Sequence, residues 1–172
     1  METALFLFIQ SLLATVPEVK HYDWFNDQFN TQEDELPFQT PSVFIQVMPY
    51  QTTSMGKLRQ SADINFRLHI GQHLYSNTRR GSRNQSKALD HLLLNDLVYA
   101  ALNGKRQPDK NEGAIVGTIS RTGVTPDHHF DGYIIHIMDF KTRLLDDKAV
   151  VPTTPIAAHT VKTNATEIEI DL

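Results

Sequence analysis

The chain has 172 residues, 40% of them hydrophobic and 21% charged, with a formal net charge of −4 and no cysteine. That length suits one ordinary core and is short for two, and the composition is that of a globular domain rather than a disordered chain. An acidic chain is not a dedicated nucleic-acid binder, although it can surround nucleic acid without gripping it; the absence of thiols excludes disulfides, thiolate metal sites and cysteine nucleophiles, and fits a cytoplasmic protein.

The first residues, Met1 to Ile9, look superficially like a signal peptide. However, no Lys or Arg precedes the apolar run, Glu2 is acidic, and no clear cleavage site follows. The run breaks at Gln10-Ser11, well short of a membrane span. Leu5, Ile9, Leu12, Leu13 and Val16 recur at helical spacing, which predicts a packed amphipathic helix ending before Pro17, with Thr3 as its cap. Val19 to Phe25 reads as a short aromatic strand with Tyr22 and Trp24 on one face. Asn26 to Pro37 is polar and acidic, hence a surface loop. Pro41 opens a strand over Ser42–Val47 that Pro49 bounds, and Tyr50 to Leu58 reads as another loop.

The most regular pattern follows. From Ala62 to Ile70 apolar and polar residues alternate without a break, placing Ala62, Ile64, Phe66, Leu68 and Ile70 on one sheet face. Asp63, Asn65, Arg67 and His69 take the other face, turned to water or to a partner, and the strand can run on to Leu74. Ser76 to Arg83 is a turn-rich basic loop, after which Ser82 or Asn84 caps a helix reaching about Asn103. Leu89, Leu93, Leu97 and Ala100, flanked by Leu92 and Ala101, are spaced for its buried face, and Asn103-Gly104 stops it. On this placement, replacing Leu93 by Asp puts a charge into the core and abolishes folding. Ala114 to Ser120 reads as a strand whose internal Gly117 implies a bulge or close packing. Asp127 to Gly132 makes a turn and Tyr133 to Thr142 the last core strand, the two strands forming a wide hairpin.

Beyond Asp147 helical periodicity disappears. Val151 to Pro155 is stiff and extended, and Thr166 to Leu172 alternates briefly. The plain expectation is a free tail; the sharper one is a strand that adds to a neighbouring subunit's sheet edge. The division is therefore one domain over residues 1–147 and an extended C-terminal tail over 148–172.

Chemistry-bearing patterns are sparse. Asp127, His128, His129 and Asp131 place four metal-competent side chains within five residues, but neighbours in one turn seldom converge on a single ion. A solvated turn is the expectation there, and a metal-dependent enzyme built on that cluster is the rival from another functional class. His69 and His73 lie too far apart for easy shared ligation, which assigns them an outer-face or interface role, and His136 reads as a packed or hydrogen-bonded core histidine. No phosphate-binding glycine loop and no nucleophile-elbow motif occurs in the chain. Arg79, Arg80 and Arg83 suit a solvated loop, an acidic neighbour, or phosphates.

The order of helix, strands, long alternating strand, polar loop, amphipathic helix and final hairpin resembles tail terminator and tail completion proteins of long-tailed bacteriophages, in particular those of Bacteroidetes-type prophages. The segments that carry the likeness are Leu36 to Ile45, Ala62 to Leu74, Asn84 to Asp90 leading into Leu97 to Gly104, Ile119 to Thr122, and the strand ending at Phe140. The resemblance in element order covers about residues 1–145 and leaves the tail unmatched. The resemblance implies a structural protein, not an enzyme, without metal or cofactor. It implies a homo-oligomeric, hexameric ring at the head-proximal end of the tail, which caps tube polymerisation and joins the tail to the head connector. Its partners are then itself, the tail-tube protein and the head-completion protein. DNA passes through the lumen without sequence-specific binding, and no membrane is involved. The location is the neck region of the virion tail, and the host cytoplasm during assembly. Another virion component, a head–tail connector or tail-tube subunit, is the alternative within the same class. The implied fold is α+β: a mostly antiparallel sheet of four to five strands with two main helices on one face. A ring needs heterologous contacts, and exposure and composition assign them to Arg67, His69, Arg79, Arg80, Arg83, Ile168 and Ile170.

Overall fold

A computed structural model of the chain describes residues 1–29, 38–56, 58–73, 78–107, 114–127 and 133–147. The elements run α1 (Glu2–Leu13), β1 (His21–Trp24), β2 (Ser42–Val47), β3 (Thr53–Gly56), β4 (Arg59–His73), α2 (Gln85–Leu102), β5 (Ala114–Val116), β6 (Ser120–Asp127) and β7 (Tyr133–Asp146). All seven strands join one sheet of order β1-β2-β4-β7-β5, with β3 added to β4 and β6 to β7. Among the described residues only β1 and β2 pair in parallel, so the fold is α+β with a mostly antiparallel sheet.

The alternation in β4 decides which face is covered. Ala62, Ile64, Phe66, Leu68 and Ile70 are all buried. Opposite them in register on β7 stand Leu144, Thr142, Phe140, Met138 and His136. Val43 and Ile45 of β2 extend the same face. Phe66 and Phe140 stack at its centre, with ring centroids 5.3 Å apart. Both helices lie here: Leu5, Ile9 and Leu13 of α1 and Leu94, Val98 and Leu102 of α2 enter this one core. The loss of apolar surface to water from so many large side chains is the main stabilising term.

Three local expectations change. Thr3 lies inside α1, whose cap position is Met1 without a side-chain cap bond. The segment read as a loop between Tyr50 and Leu58 contains β3, which folds back on β4 as a hairpin. Two strands thereby join the five visible in the sequence, because the pattern over residues 114–127 is one edge path broken in the middle. β5 and β6 follow each other along the same edge of β7. The break is at Gly117, whose N–H donates to the Arg143 carbonyl at 2.7 Å. A Cβ on Gly117 would stand 2.9 Å from that carbonyl oxygen, so the close approach requires glycine.

The largest correction concerns α2. The residues it buries are His91, Leu94, Asn95, Val98 and Leu102, whereas Leu89, Leu92 and Leu93 are 55%, 54% and 55% exposed. The helix is rotated relative to the leucine stripe drawn from spacing, and Leu93 is not in the core. The helix ends at Leu102, and Gly104 just beyond it takes φ +78° while its N–H donates to the Ile119 carbonyl at 2.8 Å.

Candidate interaction surface

The face of the sheet away from the helices divides into two halves. Around His69 and Gly71 it is covered by a second, aromatic core of Phe29, Phe44 and Ile135, with Phe25, Phe38 and Ile137 packed against it. Phe29 meets Phe44 edge-on, ring centroids 5.1 Å apart. A Cβ at Gly71 would collide with the Phe29 ring, which is why the strand carries glycine beneath it. Phe25 stacks on His69, the ring centroids 3.9 Å apart, and His69 Nε2 lies 2.9 Å from Gln46 Oε1. His69 is consequently buried and offers no surface to a partner, contrary to the role the alternation suggested. The sequence signal for this cover is the aromatic pair Phe25 and Phe29, which sits far from β4 in the chain.

The other half is open and charged. β4 and β7 place opposite charges directly across from each other: Asp63 faces Arg143 and Arg67 faces Asp139. Arg143 donates to both carboxylate oxygens of Asp63, at 2.8 and 3.0 Å. Arg67 Nε donates to Asp139 Oδ1 at 2.7 Å. Hydrogen bonding from Arg143 holds the Asp63 carboxyl below the usual carboxylate range, and the same pairing raises the Arg143 guanidinium. Beside the first pair a shallow groove of about 500 Å³ is lined by Asn65, Thr118, Ser120 and Lys141. Arg67 is thus half-buried and engaged within its own chain, which leaves it a partial candidate for contact.

Comparison with protein-family models and with curated proteins gives no match for this chain.

Under α2, a polar chain missed in the sequence crosses from β4 to β7. His91 Nδ1 lies 3.0 Å from Gln72 Oε1, and His91 Nε2 lies 2.5 Å from His136 Nδ1. Since the Gln72 oxygen only accepts, His91 donates to it from Nδ1, and His91 Nε2 and His136 Nδ1 share the second hydrogen bond. This satisfies a buried imidazole and rationalises the rotation of α2, because only the observed face aims residue 91 at the sheet. His136 is hydrogen-bonded, as its place in the last strand implied. A histidine at position 91 within a leucine-rich helix was the available clue.

The basic loop precedes α2. Arg79, Arg80 and Arg83 are all exposed, in a turn where Gly81 takes φ +78° and donates its N–H to Gln85 Oε1. The loop therefore places three cations at the same end of the molecule as the exposed Leu89, Leu92 and Leu93. Of the histidine–aspartate cluster, Asp127 ends β6, while His128, His129 and Asp131 lie outside the described residues, as do Ile168 and Ile170. Among the described residues, no group of three or more metal-ligating side chains comes together, and no helix is long and apolar enough to cross a membrane.

Proposed function

We propose that the protein is a structural subunit of a long-tailed phage or prophage tail: a tail terminator that assembles as a hexameric ring, caps the tube and meets the head connector. The observation that carries this reading is the architecture. One helix, a set of strands including the long β4, a basic loop, a second helix and a final set of strands follow in the order of the resembling family, and both helices cover one face. The exposed leucines of α2 support an assembly role, since a contiguous apolar surface on an isolated chain is costly and marks a contact site. The paired charges on the open half of the sheet suit a surface that borders other polar material, protein or DNA, without binding a defined small molecule. The partners on this reading are further copies of the chain, the tail-tube protein and the head-completion protein.

Solution mass by size-exclusion chromatography with light scattering, followed by negative-stain imaging of any large species, tests the proposal. Closed hexameric rings are the expected result. Long tubes reassign the chain to a tail-tube subunit, and a strict monomer at every concentration counts against self-assembly.

A further inference from the structure

The exposed apolar residues are not scattered evenly. One set, Leu89, Leu92 and Leu93, occupies adjacent turns on the outer face of α2, with Asp96 one turn further along the same stripe. A second set, Met55 and Leu58, occupies the β3–β4 hairpin, where they are 59% and 63% exposed. Leu58 sits at φ +63°, a conformation in which glycine or asparagine is the unstrained choice. A leucine that carries backbone strain and yet stays 63% exposed within its own chain has apolar surface left for packing elsewhere. Arg59 follows it directly and makes no ion pair with any described residue.

The two sets cannot cover each other within one molecule. The hairpin is at the Arg59 end of β4, while His91 ties the leucine-bearing part of α2 to Gln72 at the other end. Thirteen residues of strand separate them, a span of about 40 Å. The charges are matched in the same sense. The basic loop, Arg79, Arg80 and Arg83, leads into the leucine-bearing helix, whereas Asp146 ends β7 beside the hairpin, across from Gln60 and paired with the N-terminal ammonium of its own chain, with Asp147 next to it.

We propose that the hairpin tip of one copy docks on the outer face of α2 of the next copy, Met55 and Leu58 against Leu89, Leu92 and Leu93, with Arg59 meeting Asp96. Because each copy presents one patch and receives on the other, the contact is heterologous and propagates until it closes on itself. It specifies the self-contact of the assembly reading above and rests on that reading only in requiring a second copy.

The cysteine-free sequence gives a direct test, since an introduced thiol is the sole one in its chain. Met55→Cys and Leu92→Cys variants, one carrying a size tag, are mixed in equal amounts and oxidised gently. A docked pair raises the local thiol concentration, so the mixed disulfide should exceed either homodimer by about tenfold or more. Adding Leu93→Asp to the helix variant should remove that excess, while its circular dichroism and melting stay those of the parent. The contact is overturned if Leu92→Cys links to itself as readily as to Met55→Cys, which indicates a two-fold pairing. It is also overturned if the mixed product does not exceed that of an Ser11→Cys control on exposed α1 surface. Imaging of the unmodified protein separates this contact from the terminator reading. Rings without the mixed disulfide overturn the contact and leave the terminator reading standing. A mixed disulfide in open filaments supports the contact and refutes the terminator.

Discussion

Strand β4 and helix α2 both carry a strong apolar signal, and they teach opposite lessons. In β4 the polar residues fill every second position, so the face turned to the helices is fixed, and the structure buries it there: Ala62, Ile64, Phe66, Leu68 and Ile70. In α2 leucines and other apolar residues stand at 89, 92, 93, 94, 97, 98 and 102, and spacing alone permits more than one buried stripe. A period of two leaves a binary choice that one charged residue settles. A period of 3.6 with apolar residues on most sides leaves a rotation that neighbouring elements must settle, here the His91 contacts with Gln72 and His136.

The sharpest way to break this comparison is at the strand. Phe66→Ala opens a cavity against Phe140 at the centre of the core and should cost about 3–5 kcal/mol in chemical denaturation. A loss under about 1 kcal/mol would mean that the β4 face is not the core. On the helix the effect should depend on side. Leu94→Ala, on the buried side, should cost about 2–5 kcal/mol. Leu93→Asp, one residue earlier and exposed, should stay within about 1 kcal/mol of the parent when measured on dilute monomer. Equal losses for the two would restore the stripe drawn from spacing and refute the observed rotation.

Two smaller changes sharpen the contrast between the halves of the polar side of β4. Gly71→Ala forces the Phe29 ring from its seat and should destabilise by about 1–3 kcal/mol, with a change in near-ultraviolet circular dichroism. An unaltered aromatic spectrum and melting point would show that Phe29 does not cover the strand there. At the open end, Asp63 has a lowered pKa, so any stability it gives is present above the ordinary carboxylate range and is lost as pH falls through its lowered value. The pair with Arg143 is exposed on both sides, so this should be the weakest effect of the series. Melting measured from neutral to acid pH should show the acid-side loss slightly reduced in Asp63→Asn. An identical pH profile for the two proteins would remove the pair from the stability of the fold.

Much of the architecture was legible in the chain because it is written in local patterns. The first helix, the β2 strand after Pro41, the long β4, the stop at Gly104 and the close approach at Gly117 each follow from residues within a few positions of one another. The candidate surface was legible only in part. The exposed basic loop announces itself by composition. The burial of His69 does not, because its cover comes from Phe25 across a turn of the chain and from Gln46 on the next strand. Likewise β3 is short and fully exposed, so no hydrophobic pattern marks it, and it exists through pairing with β4.

The sequence by itself determined the α+β class, the face that β4 turns to the helices and the number of main helices, since periodicity and turn residues act over short distances and need no partner to be read. Only the tertiary structure decided which way α2 faces, that half of the polar side of the sheet lies under aromatic rings, and that two apolar patches stand at opposite ends of the molecule. Those features arise from contacts between residues tens of positions apart, where packing and hydrogen bonding override local spacing.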